Sequence, residues 1–452
     1  MDTEKGINDQ SIAATAPERY SVFTRTEKWC IVSMVAYAAW FSTLSSFIYY
    51  PALQSLSAAL NITIAQADLT VTTYMAVATI APSLVGDAAD VLGRRPMYLI
   101  TLTLYVAANL AIALTKSYSA LLGLRVLQAL AISGTIDRII SCAAKRGFCV
   151  LMSSLITIAP SIGPIIGGAL TYAAGWPWIF WFLGIAAGLC VTVMALFLPE
   201  TSRSIVGNGS IRPAKHLRLP VPGPLMCHWQ ESRDTAPHIW RVPNPLKSLV
   251  ILGRKDNAVI ILACGLLYAV YTCINASLST LFIDIYGLNQ WQAGIIYLPF
   301  GVGGTVSTFF SGPLLNTAYR NARAKQGLST DKAGGDDLDN FAIEKARLVV
   351  IWVPMLLTAL SVYNTLLVDK NHRSPAAAQA SSNIVRCTLA AVSVSFPQNL
   401  LDALGIGKTF TFMAGLCLVA TGLFLIDYKF GTLWRQKCTV PIPPPQDESG
   451  HS

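Results

Sequence analysis

Apolar residues along this chain gather into windows of about 20, and at ~1.5 Å rise per residue each window is long enough to cross a ~30 Å hydrocarbon core as a helix. Six windows lie in the first half, near 29–50, 70–89, 97–116, 119–136, 149–173 and 178–198. Clear windows follow near 258–283, 291–315, 383–404 and 408–428, and a further one near 348–368 brings the total to about eleven. The pattern predicts an all-α polytopic membrane protein. Its units are a cytosolic tail over 1–28, a transmembrane half over 29–198, a cytosolic linker over 199–257, a second transmembrane half over 258–430 and a tail over 431–452. The linker is rich in Pro and Arg and reads as flexible rather than folded. The first window is long and ends without a small-residue cleavage site, so it reads as a retained span and not a signal peptide.

Composition agrees with lipid as the solvent, because 53% of the 452 residues are apolar and only 13% are charged. The net charge of +9 falls almost entirely between windows, where it reports orientation and not a nucleic-acid partner. The N-terminus, the Arg94-Arg95 loop, the Lys145-Arg146 loop and the linker are basic, whereas 51–69, 174–177 and 284–290 hold no Lys or Arg. The N-terminus is therefore read as cytosolic, with Lys116 alone against the alternation. The ten cysteines form no CxxC pair and have no His at metal spacing, so neither a disulfide framework nor a metal site is indicated. No phosphate-cradling loop and no nucleophile with a base is evident, so the chain reads as a protein without a cofactor and not as an enzyme.

Three clusters carry candidate chemistry. The first is Gly86-Asp-Ala-Ala-Asp90-Val-Leu-Gly93-Arg94-Arg95, at the cytosolic end of the second window. Gly86 allows close helix approach, Asp90 can pair with a cation, and Gly93 permits a tight turn. Short cytosolic loops are often basic and glycine-containing, so spacing and position carry more weight here than Arg94 and Arg95 alone. Gly312, Asn316 and Arg320 repeat the spacing in the second half. The second cluster is Gly163-Pro164-Ile-Ile-Gly167-Gly168, where Pro164 removes a backbone hydrogen bond and the glycines admit a neighbouring helix. Ordinary small-residue packing is its alternative. The third is Arg125 with Gln128 inside the fourth window: a guanidinium there faces a partner or wet cavity, or else snorkels to the interface. Aromatics of the first window, Tyr37, Trp40, Phe41 and Tyr49, either line a cavity or pack between helices.

These clusters, with Gly175-Trp-Pro-Trp-Ile-Phe-Trp-Phe182, Leu198-Pro-Glu-Thr201 and Asn383-Ile-Val-Arg386, resemble fungal members of the twelve-spanner drug:proton antiporter family of the major facilitator superfamily. The resemblance implies two six-helix halves and export of small organic molecules such as drugs, secondary metabolites or toxins by proton antiport, with alternating access. It further implies a monomer in a lipid bilayer, in the plasma membrane or otherwise the vacuolar membrane, with small-molecule substrate and protons as partners. Gly86 to Arg95 would be a conformational latch, Gly163 to Gly168 an antiporter hinge that limits leak, and Arg125 with Gln128 the proton-coupling or substrate site. Val91 stands where the family usually has a basic residue, and the second half offers one helix too few between 347 and 364. A truncated relative that no longer transports, or one that acts as a sensor, is the alternative reading. One crossing by 348–368 would leave Lys429, Arg435 and Lys437 outside, against the positive-inside pattern. Asn61-Ile-Thr63, in the first external loop, is a glycosylation acceptor.

Overall fold

The computed structural model describes residues 22–133, 146–200, 203–206, 250, 252–325 and 375–438, and among them every regular element is helical. The first half runs α1 (Arg25–Phe47), a 3-10 turn (Tyr50–Ala52), α2 (Leu53–Leu60), α3 (Ile64–Leu92), α4 (Arg94–Leu114), α5 (Tyr118–Ser133), α6 (Arg146–Ala174) and α7 (Pro177–Phe197). After the short α8 (Arg203–Val206) come α9 (Lys255–Tyr286), α10 (Gln290–Ile295), α11 (Leu298–Lys325), α12 (Pro375–Ser395) and α13 (Pro397–Cys438), the last kinked at Gly405. Five of the described helices are long and apolar enough to cross a membrane by length and composition alone. The window at 348–368 and the early end of the fourth window at Asp137-Arg138 lie outside the described residues. The stretch 51–69, read as a loop, is instead mostly helical, formed by the 3-10 turn, α2 and the first turns of α3.

Helix starts follow local chemistry. Thr24 and Glu27 form a reciprocal capping box on α1, Thr63 and Gln66 exchange the same pair of bonds at α3, and Asn289 with Gln292 caps α10. Hydroxyls inside the apolar helices, such as Thr79, Thr171 and Ser277, donate to the carbonyl four residues back, which satisfies these groups within their own helix. Large apolar side chains including Ile80, Ile100, Ile185 and Leu418 stay exposed, as a lipid-facing belt requires.

Helices α1, α3, α4, α5, α6 and α7 pack among themselves, and α9 packs on α12 and α13. The two groups meet where α3 lies on α12 and α6 lies on α10 and α11. Direction along the membrane follows from paired contacts. Gly265 of α9 faces Val385 and Leu389 of α12, and Thr272 bonds Ser393 at 3.2 Å, so these helices are parallel. Gly168, Pro164 and Ser161 of α6 meet Gln290, Gly294 and Gly301 in turn, so α11 runs antiparallel to α6. With the N-terminus cytosolic, α11 descends to Arg323 and Lys325 on the cytosolic side, while α12 rises to Ser395, which bonds Thr72 in the outer third of α3 at 3.1 Å. Lys325 and Pro375 therefore stand on the same side, and α13 returns to the cytosol carrying Lys429. This corrects the topology implied by one crossing between them, and the positive-inside pattern holds to the end of α13.

Candidate transport site

At the end of the first half read as cytosolic from its charge, Gly93 alone links α3 to α4, with φ +98°, a conformation open to glycine and strained for other residues. The exposed N–H groups at the start of α4 need acceptors, and Glu200 of the Leu-Pro-Glu-Thr segment supplies them. Its carboxylate accepts from the backbone N–H of Arg94 at 3.1 Å and of Arg95 at 3.0 Å, 105 residues away in sequence. Arg95, expected at the wet membrane edge, is buried and donates through Nη2 to the Ala195 carbonyl at 2.8 Å. Gly86 and Asp90 lie on α3, but their side-chain positions are outside the described residues. Asn316 and Arg320 are exposed on a continuous α11, so the second half has no counterpart of the Gly93 break at that place.

The glycines of the second cluster sit where three segments touch. A Cβ on Gly167 would overlap the Ile48 carbonyl oxygen at the end of α1, and one on Gly168 the Gln290 carbonyl oxygen at the head of α10. Gly163 also faces the Ile48 backbone, and a Cβ on Gly294 would lie 2.6 Å from the Pro164 carbonyl oxygen. Close approach of backbones thus joins the first half to the second at the outer end. Gln54 Nε2 donates to Asp284 at 3.0 Å and Gln290 Nε2 to Ser55 at 3.1 Å, adding polar links across the same seam.

Beneath that seam lies Arg125, 2% exposed and thus enclosed, not extended to the interface. Its Nη1 donates to Gln128 at 2.8 Å, Gln128 donates to Asn109 at 2.8 Å, and Asn109 donates to the Tyr105 carbonyl at 2.7 Å. The Tyr105 hydroxyl is shared with Ser45 of α1. The guanidinium carbon stands 4.1 Å from the Tyr49 ring centroid, 5.3 Å from Tyr74 and 5.5 Å from Phe180, and Nε has no hydrogen-bond partner. Aromatic faces offset part of the desolvation of this cation without neutralising it. Of the first-window aromatics, Phe41 and Tyr49 are packed inside, while Tyr37 is exposed.

The second half repeats the arrangement. Arg386 of α12 donates to Asn383 at 2.6 Å and lies 4.8 Å from the Tyr268 ring, matching an amide three residues away and a tyrosine face. Tyr268, Tyr271, Phe300 and Phe47 form a chain of ring contacts between 5.2 and 5.9 Å that reaches from α9 to α1. The sequence reading missed these aromatics, since nothing in a single helix distinguishes a packed tyrosine from one that caps a cation. The equal spacing of Arg125-x-x-Gln128 and Asn383-x-x-Arg386 was the available signal.

Residues 35–328 match the family model of the Major Facilitator Superfamily. The chain belongs to this superfamily. Major facilitator relatives include the MFS-type transporter tstD of Talaromyces stipitatus, 32% identical over 96% of this chain and 88% of the relative. Citrate exporter 1 of Aspergillus niger is 31% identical over 96% and 93%, and the multidrug transporter AQR1 of Candida glabrata is 30% identical over 97% and 81%. The solved structure of the human organic anion transporter MFSD10 shares the fold, with TM-score 0.53 at 14% identity over 88% of this chain and 99% of that one. The protein is accordingly a multi-pass membrane transporter of small organic molecules, related to fungal drug-efflux proteins, and not an enzyme. Its alignments to the three fungal relatives span 489, 488 and 486 positions, more than the 452 residues of the chain, so those relatives carry stretches that this chain lacks.

Proposed function

We propose that the protein exports small, largely apolar organic molecules in exchange for protons, as a monomer in the plasma membrane, by alternating access. The observation that carries this reading is the seam around Gly163, Pro164, Gly167 and Gly168. It closes the outer side through backbone contacts that a rigid-body motion of the halves can break and re-form, while Arg125 is held unneutralised just inside it. Aromatic surfaces bridging the halves suit planar amphiphilic substrates, and the guanidinium offers a contact for an anionic group. The names of the relatives, a citrate exporter and a multidrug transporter, are in keeping with export. The test is accumulation of several lipophilic compounds in a drug-sensitive host with and without a proton gradient. Lower accumulation that depends on the gradient supports the reading, and equal accumulation in all conditions removes it. A second reading, a relative that no longer transports, is favoured by the stretches present in the relatives and lacking here; the same experiment decides between the two.

A further inference from the structure

Between α1, α4 and α5 a cluster of polar side chains is enclosed by apolar ones. Ser45, Tyr105, Asn109, Gln128 and Arg125 are all buried, and a run of hydrogen bonds joins them across the three helices. Polar groups so deep in an apolar surrounding are costly unless they find partners. Which atom donates and which accepts in each bond is decided by chemistry, and it gives the cluster a single workable arrangement.

A guanidinium only donates, so Gln128 must meet Arg125 Nη1 with its carbonyl oxygen, Oε1. That choice turns the Gln128 amide nitrogen the other way, where Nε2 donates to Asn109 Oδ1 at 2.8 Å. Asn109 then has its own amide nitrogen to give, and Nδ2 donates to the Tyr105 carbonyl one turn back along α4 at 2.7 Å. A backbone carbonyl only accepts, so the Asn109 amide has one sense, and through it the Gln128 amide has one too. Reversing Gln128 would set its NH2 group against the guanidinium, donor to donor. The Tyr105 hydroxyl lies beside both amides. Ser45 gives its own proton to the Phe41 carbonyl at 2.8 Å, so the Tyr105 O–H donates to Ser45 and does not compete for the Gln128 oxygen.

We infer that Asn109 is a positioning residue for transport: it fixes the sense of the Gln128 amide and thereby holds the Arg125 guanidinium against Tyr49, Tyr74 and Phe180. This rests on the reading of Arg125 as part of the export cycle and names what keeps it in place. Asn109 acts through Gln128, whose Oε1 is the acceptor that sets how the planar fork is turned, because Arg125 Nε has no hydrogen-bond partner. Without Asn109 the Gln128 amide is free to reverse, its NH2 group opposes the guanidinium, and the fork swings away from its aromatic walls.

A double-variant cycle tests this. Export of the lipophilic dye rhodamine 6G from a drug-sensitive host is measured, per molecule of protein in the membrane, for the full wild-type chain, Asn109→Leu, Gln128→Leu and the two combined. Leucine keeps the size of asparagine and removes both of its polar groups. The expected result is a loss of about tenfold from each single variant, with the combined variant within about twofold of the worse single one. Losses that multiply overturn the assignment, since Asn109 would then contribute without Gln128. Should Asn109→Leu fail to reach the membrane, Asn109→Thr and Asn109→Val serve as a pair of nearly one shape. The threonine hydroxyl donates to the Tyr105 carbonyl and accepts from Gln128, so Asn109→Thr is expected to export several-fold better than Asn109→Val at equal abundance. Equal export by the pair overturns the assignment, because a role in packing alone is served by shape. A wild type that exports no more dye than the host without it removes the export reading and this inference together. An active wild type matched by Asn109→Leu removes the role of Asn109 alone.

Discussion

Arg125 illustrates what a single residue contributes. Its guanidinium combines a bond to Gln128 with three aromatic faces in a buried place, where a cation–π contact and a charge-assisted hydrogen bond are worth ~2 kcal/mol each. Replacing it with Ala is expected to lower transport at least about tenfold with membrane abundance near normal, because the vacated space keeps its packed aromatic walls. Arg125→Lys keeps the charge but loses the planar fork, so it restores transport only in part. Transport and abundance measured together check this, and unchanged export by Arg125→Ala counts against the role. Arg95 shows the other outcome. Its place beside Arg94 in a basic loop suggested solvent, but its side chain is buried against Ala195 beside Glu200. Arg95→Ala and Glu200→Ala are each expected to cost ~1–3 kcal/mol through buried groups left unpaired, seen as lower abundance and a lower melting temperature of the solubilised protein. Arg125 was legible because a charge inside an apolar window is rare. Glu200 was not, because it sits at a window edge where a carboxylate normally meets water, and only the tertiary fold covers it.

Among the elements, α6 carries the proposed seal of the outer side. The glycines of its Gly-Pro-x-x-Gly-Gly run are graded by what they face: backbone oxygen against Gly167 and Gly168, and a looser 3.1 Å approach to the Ile48 nitrogen from Gly163. Gly167→Ala or Gly168→Ala should force the end of α1 or the head of α10 away and raise passive proton leak in reconstituted vesicles several-fold, with Gly163→Ala the mildest of the three. Equal leak from all three would mean that the cluster serves ordinary packing. The helices themselves were read from hydrophobic periodicity, and windows such as 97–116 and 178–198 correspond closely to α4 and α7. The sequence was less informative at their ends. Residues 51–69 read as a loop because they fall between two long apolar windows and hold no Lys or Arg, whereas Asn61, with φ +51°, and the Thr63-Gln66 box break them into two helices. Asn61 is exposed in that break, so a glycan there is expected as a mobility shift that glycosidase treatment reverses and Asn61→Gln abolishes.

For the whole molecule, topology was the part that counting windows misjudged. An odd total placed the last cations outside, but the parallel course of α9 and α12 sets Lys325 and Pro375 on one side and brings the end of α13 back to that same side, the cytosolic one if the N-terminus is cytosolic. No window count carries that information, since it lies in which residues of different helices touch. A tag after Ser452 should accordingly be cleaved by protease only after the membrane is permeabilised, and cleavage on intact cells would mean that the second half is assembled differently. On the proposed exchange cycle, the outer seam and the enclosed Arg125 act together while an inward pathway alternates with an outward one and a proton moves against each molecule exported. The most direct test is uptake of a lipophilic substrate into inside-out vesicles holding the full chain, with an imposed inside-acid pH gradient and with the gradient collapsed by an ionophore. Proton exchange predicts substrate accumulation that disappears on collapse, together with substrate-dependent alkalinisation of the lumen. Accumulation that survives collapse, or a lumen whose pH ignores the substrate, would contradict it.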